Sequence, residues 1–198
     1  MITEYYTDND LVKEATIISN RFANMLLGEF GDKLLKLFKK NKTIGGKATK
    51  TITYNKQNYL VTIIWDKNAH KTQDFYFNIE TTYETKNGKM TMMFSDKNNP
   101  IQIASPHYIK RNKERKSYGD HFFMDKTKII KYKRNGRDYE LFDTNDNAIL
   151  ITRRSKENEK LFYLITFLTR DMCTNKNYKE LFSRIDNQID NDDIYNWK

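Results

Sequence analysis

Between residues 50 and 95 the chain is written largely in residues that favour pleated sheets. The segments KTITYNKQNYLVTIIWD, QDFYFNIETTYET and KMTMMFS are rich in β-branched and aromatic side chains. Polar turns at residues 55–58 and 67–71 and an Asn87-Gly88 dipeptide separate them. Sheet-forming runs joined by connections this short pair most simply with their chain neighbours, which predicts an antiparallel meander.

On either side the apolar period changes. In DNDLVKEATIISNRFANMLLGEF, residues Leu11, Ala15, Ile18, Phe22, Met25 and Leu26 recur at helical spacing, and DKLLKLFKK repeats the pattern with Leu34, Leu35, Leu37 and Phe38, so two helices are expected before the meander. After it come a short strand, IQIA, a cationic helix from Ser105, and a helix near residues 120–131. Three strands follow, RDYELFD, NAILITRR and KLFYLITFLTRD, then a helix, NKNYKELFSRIDNQI, and a polar tail. The fold class this implies is α+β. N-terminal helices and an antiparallel meander (residues 1–100) are packed with a C-terminal helix-plus-antiparallel-sheet region (residues 101–198), as one compact unit. With 198 residues the chain can bury a sizeable core.

Charge narrows the class of partner. The chain carries 35 Lys and Arg against 26 Asp and Glu, a net +9, and residues 103–170 hold +7 of it, sixteen cations against nine acids. Such a surplus attracts a polyanion, RNA or another nucleic acid first, and excludes an acidic mimic of DNA. The single cysteine, Cys173, excludes a disulfide framework and suits a reducing, cytoplasmic compartment. No apolar run reaches the roughly 20 residues of a membrane span, and the start MITEYYTDNDLVKE does not read as a signal peptide, so no membrane partner is expected.

Motifs for cofactors and metals fail on inspection. TIGGKATK ends like a phosphate loop, but Asn41 and Ala48 stand where that loop needs Gly and Ser or Thr. His70, His107 and His121 are widely spaced and lack the close His/Cys/Asp clusters of a dedicated metal site, so neither a metal nor another cofactor is expected. What remains is chemistry that needs cations, an imidazole and hydroxyls. In SPHYIKRNKER, with Ser105 as N-cap and Pro106 at the first helical position, His107, Arg111 and Arg115 fall four residues apart on one stripe. His107 suits a base or acid for a 2′-hydroxyl attack on an RNA phosphate, and the two arginines suit the phosphate itself, with Lys110 and Lys113 beside them. A solvated helix whose arginines pair with nearby acids is the plain alternative.

Downstream strands supply further candidates. Strict alternation in KLFYLITFLTRD puts Phe162, Leu164, Thr166 and Leu168 on one face, which makes Thr166 a hydroxyl among apolar neighbours. Arg153 and Arg154 point in opposite directions, so only one can face a common site. His121, beside Phe122 and Phe123, reads more naturally as structural, with nucleic-acid contact as its functional alternative.

The order PHYIKRNKER, YELFDTNDNAILITRR, EKLFYLITFLTRDM resembles the barnase/EndoU/colicin/RelE ribonuclease superfamily, especially its small phage-associated members, over residues 103–173. The resemblance implies a helix bearing a basic or histidine residue and a curved antiparallel sheet whose later strands contribute arginine and Ser or Thr. It also implies RNA cleavage without metal. Carried onto this chain, His107, Arg111 and Arg115 form one cluster, Arg153 or Arg154 a second, and Thr166 a third. The expectation is a metal-independent, toxin-like endoribonuclease of phage or bacterial-conflict origin, compatible with a neutralising protein partner. The alternative is a noncatalytic nucleic-acid-binding or inhibitory protein of such a system.

Overall fold

The computed structural model describes residues 1–29, 46–65, 75–95, 100–114, 129–134, 136–144, 148–169, 179, 183 and 195–197. The architecture is α+β, and the chain divides into two compact units, Met1–Ile101 and Gln102–Lys198. Among the described residues no helix is long and apolar enough to cross a membrane.

In the first unit a long helix, α1 (Asp8–Glu29), precedes four strands, β1 (Gly46–Tyr54), β2 (Gln57–Trp65), β3 (Phe75–Thr85) and β4 (Gly88–Phe94), paired antiparallel in chain order. Thr7 caps the helix. Its hydroxyl accepts from the Asp10 backbone N–H at 3.2 Å, and the Asp10 carboxylate accepts from the Thr7 hydroxyl at 2.7 Å and from the Thr7 N–H at 3.0 Å, which together hold the Asp10 carboxyl below its ordinary value. Leu11, Ala15, Ile18 and Phe22 are buried at their helical spacing, and the Phe22 ring meets Tyr59 of β2 edge-on at 5.5 Å. Val61, Ile79, Met92 and Phe94 belong to the same core. Each fully buried Ile, Leu or Phe of this kind is worth roughly 1.5–3 kcal/mol. The expected second helix, at residues 33–40, lies outside the described residues.

The hairpin turns are tighter than the polar runs suggest. Only Asn55 and Lys56 form the first turn, both with positive φ, 48° and 61°, and Gln57 and Asn58 already belong to β2. Gln57 is buried there and donates to the Thr81 hydroxyl at 2.6 Å and to the Thr82 carbonyl at 2.7 Å. In the β3–β4 hairpin the turn falls on Lys86 and Asn87, and Gly88, with φ 101°, opens the next strand opposite Thr85.

The second unit contains β5 (Ile101–Ala104) from its second residue onward, α2 (Pro106–Glu114), β6 (Ile129–Arg134), β7 (Arg137–Thr144), β8 (Ala148–Arg154), β9 (Leu161–Thr169) and β10 (Tyr195–Trp197). The strand order is β5-β9-β8-β7-β6-β10, with β6 to β9 antiparallel and β10 parallel to β6. Two expectations need correction here. Residues 129–131, read as the end of a helix, are strand, and the chain end read as a tail contributes a parallel edge strand. Ile129-Ile130-Lys-Tyr is β-favouring, and the Asn135-Gly136 dipeptide after it is a hairpin signal. Gly136 has φ 71° with open space where a Cβ would stand, so its backbone conformation is what the turn requires. Lys179 and Ser183 are helical, and the rest of the expected C-terminal helix, like residues 120–128, lies outside the described residues.

Candidate nucleic-acid interface

Helix α2 begins as its sequence dictates. The Ser105 hydroxyl accepts from the Tyr108 N–H at 3.1 Å, and the Ser105 carbonyl closes the first turn with Ile109 at 3.0 Å, with Pro106 spending no needed donor at the first position. Tyr108 is the anchor. It is 1 % exposed, its ring meets Phe167 of β9 at 6.3 Å, and burial drives its hydroxyl pKa well above the ordinary tyrosine range. His107 and Lys110 are exposed and Arg111 is half-buried. Lys113 lies in the last turn, and Arg115 and His121 lie outside the described residues.

Register fixes what lies on the α2 side of the sheet. Pairing runs Arg154↔Phe162, Arg153↔Tyr163, Thr152↔Leu164 and then Ile151↔Thr166, so a bulge at Ile165 interrupts β9. Beyond it the alternation reverses. Phe167, not Thr166, shares the face of Phe162 and Leu164, and Phe167 is the residue that α2 covers. Thr166 therefore stands on the opposite face from α2, which corrects the uninterrupted alternation expected for this strand. Its Oγ1 is screened from solvent and has no hydrogen-bond partner among the described residues. His107 and Arg111 thus do not converge with Thr166 on one face of the sheet.

The paired arginines separate in the same way. Arg154 lies on the α2 face. Its Nε and Nη2 donate to Glu140 at 2.7 and 2.8 Å, Nη1 donates to the Glu159 carbonyl at 3.2 Å, and its guanidinium stacks 4.6 Å from the Phe162 ring centre. The Glu140 carboxylate holds the Arg154 pKa above its ordinary value and leaves this cation little capacity for a ligand. Arg153 lies on the other face, exposed, with its guanidinium 5.6 Å from the centre of the Tyr163 ring. No carboxylate pairs with it among the described residues.

That second face is sheltered at one end and open at the other. Leu141, Ile149, Ile151 and Leu168 are buried, whereas Tyr139, Tyr163 and Thr166 are half-buried and Arg137 and Arg153 are exposed. Sequence reasoning missed Tyr139, Tyr163 and Arg137. The available signal was alternation in RDYELFD, which sets Arg137 and Tyr139 on the same side as Leu141. Among the described residues no group of three or more His, Cys, Asp or Glu is placed to hold a metal. No family model, curated protein or solved structure matches this chain.

Proposed function

We propose that the protein binds single-stranded nucleic acid through its second unit, on the sheet face that carries Arg153. The observation that carries this reading is the contrast between neighbours in β8: Arg154 is neutralised by Glu140, while Arg153 is exposed over Tyr163 with no carboxylate partner among the described residues. A guanidinium backed by an aromatic ring offers a phosphate bidentate hydrogen bonds and a neighbouring base a surface to stack on. The net charge of +9 adds long-range attraction, and the lone Cys173 fits work in a reducing, cytoplasmic setting. Fluorescence anisotropy with a labelled unstructured oligonucleotide tests the reading. Affinity is expected to fall steeply with salt as condensed counterions are released. No binding at low salt refutes it and favours a protein that acts on another protein.

A second reading, metal-independent RNA cleavage of the kind the family resemblance implies, has one observation of its own. Arg153 and Tyr163 share a face and bring together a cation and a hydroxyl, groups that can hold a scissile phosphate and pass a proton, with the screened Thr166 hydroxyl on the same face. Under this reading, RNA is cut in EDTA to give 2′,3′-cyclic ends, and a single 2′-deoxy substitution at the cut site abolishes the cut. Equal cutting of the deoxy strand, or intact RNA across a broad panel, removes the catalytic reading and leaves the binding one standing.

A further inference from the structure

We propose that the sheet face opposite α2 is a stacking platform for unpaired bases, with Tyr139 and Tyr163 carrying bases while Arg137 and Arg153 hold the phosphates between them. This inference rests on the nucleic-acid-binding reading and specifies what the face recognises: a single strand, through its bases as well as its charge.

Cross-strand register assembles the platform. Tyr132 pairs with Tyr139 across β6 and β7, and Arg153 pairs with Tyr163 across β8 and β9. Tyr139 and Arg153 each stand one step beyond the last β7–β8 pair, Glu140↔Thr152, so the four residues form one row across four strands. At roughly 4.8 Å between strands that row is about 14 Å long. The parallel pairing of β10 sets Tyr195 beside Tyr132 at the end of the row. Two residues further along, Arg134 pairs with Arg137, and Trp197 pairs with Arg134.

The two faces treat charge in opposite ways. On the α2 face the acid Glu140 stands opposite Lys131 and holds Arg154 with both carboxylate oxygens. On the open face Arg153 lies over the Tyr163 ring and Arg137 is exposed one strand position from Asp138. Glu157 and Glu159 lie in the β8–β9 connection together with Lys156 and Lys160. A polyanion that also carries planar rings fits this face on both counts. Single strands offer their bases to aromatic side chains, whereas a duplex keeps them stacked within itself.

The test uses the full-length protein and four labelled probes: an unstructured oligonucleotide as RNA and as DNA, an abasic strand of the same length, and a duplex. Both single strands are expected to bind about tenfold or more tightly than the abasic strand and the duplex, and 2-aminopurine in the strand is expected to lose fluorescence on binding. Tyr139→Ala and Tyr163→Ala are each expected to weaken single-strand binding about tenfold, with Tyr139→Phe and Tyr163→Phe restoring it, in proteins whose melting matches the parent. Arg153→Gln, a change at an exposed position, supplies a variant that does not depend on replacing a ring. If single-strand binding persists but the abasic strand binds equally well, or both alanine variants and Arg153→Gln bind as the parent does, the platform is wrong and the broader reading survives. If none of the probes binds, both are wrong.

Discussion

Within β8 the chain places two arginines side by side and gives them different fates. Arg154, on the face covered by α2, is held by both oxygens of buried Glu140. Arg153, one residue earlier and on the other face, is exposed over an aromatic ring. The first is a structural cation whose charge is cancelled where it stands; the second keeps its hydrogen-bonding capacity. The first unit has its own arginine–tyrosine pair, Arg21 with Tyr54, but there the guanidinium sits 4.2 Å from the ring centre and also donates to the tyrosine hydroxyl at 3.2 Å. That closer contact ties α1 to the edge strand β1. What distinguishes a fastening from a binding position is therefore not residue type but whether the cation's partners satisfy it.

The widest separation between the two faces is expected in stability. Phe167→Ala removes the ring under Tyr108 on the α2 face, where Phe167 is fully buried, and is expected to cost about 3–5 kcal/mol in chemical denaturation. Tyr163→Ala on the open face is expected to cost far less. Equal losses would mean that the open face is as much a core as the other.

Alkali sharpens the same distinction. Burial raises the pKa values of Tyr108 and Tyr59, and that of Tyr83 is pushed up to about 12 by burial and by Asp8. Their folded values lie above the unfolded value near 10, so the unfolded chain releases these protons first. The stability they contribute is fully present below pH 10 and is lost as pH rises through the folded values. Melting temperatures recorded from pH 9 to 12 are expected to fall over that window, and less steeply in Tyr83→Phe. A flat profile would contradict the burial of these hydroxyls.

The smallest effects come from the two β8 cations and separate them most cleanly. Glu140→Gln leaves Arg154 without its carboxylate. Because the Arg154 side chain is 37 % exposed, the expected cost is about 1–2 kcal/mol, below that of a fully buried pair, with nucleic-acid affinity retained. Arg153→Ala is expected to leave stability within about 0.5 kcal/mol and to lower the salt slope of binding by about one. Denaturation and salt titrations on both variants check this, and an exchange of the two phenotypes would invert the assignment of the faces.

Much of the fold was legible in advance because its signals are local. The helical spacing of Leu11, Ala15, Ile18 and Phe22, the Ser105-Pro106 helix start, and the alternating strands around residues 137–154 are all fixed by neighbours a few positions apart. The strand at residues 129–134 is less legible although Asn135-Gly136 marks its hairpin, because a cationic stretch of mixed period takes its form from its pairing partner β7.

By itself, then, the sequence determined the α+β class, the antiparallel meander, the cationic bias of the region after residue 103 and the cap of α2. Each follows from propensity, periodicity or charge, which need no distant contact. Only the tertiary structure decided that Thr166 and Phe167 exchange faces, since one extra residue at Ile165 reverses every later side chain in β9 and leaves no mark in the alternation of the residues themselves. It likewise decided that Glu140 would take Arg154 and leave Arg153, because that choice depends on which side of β7 the carboxylate lies when β7 pairs with β8. Residue chemistry is local, but the face on which it acts is set by cross-strand register, and register is a property of two strands at once.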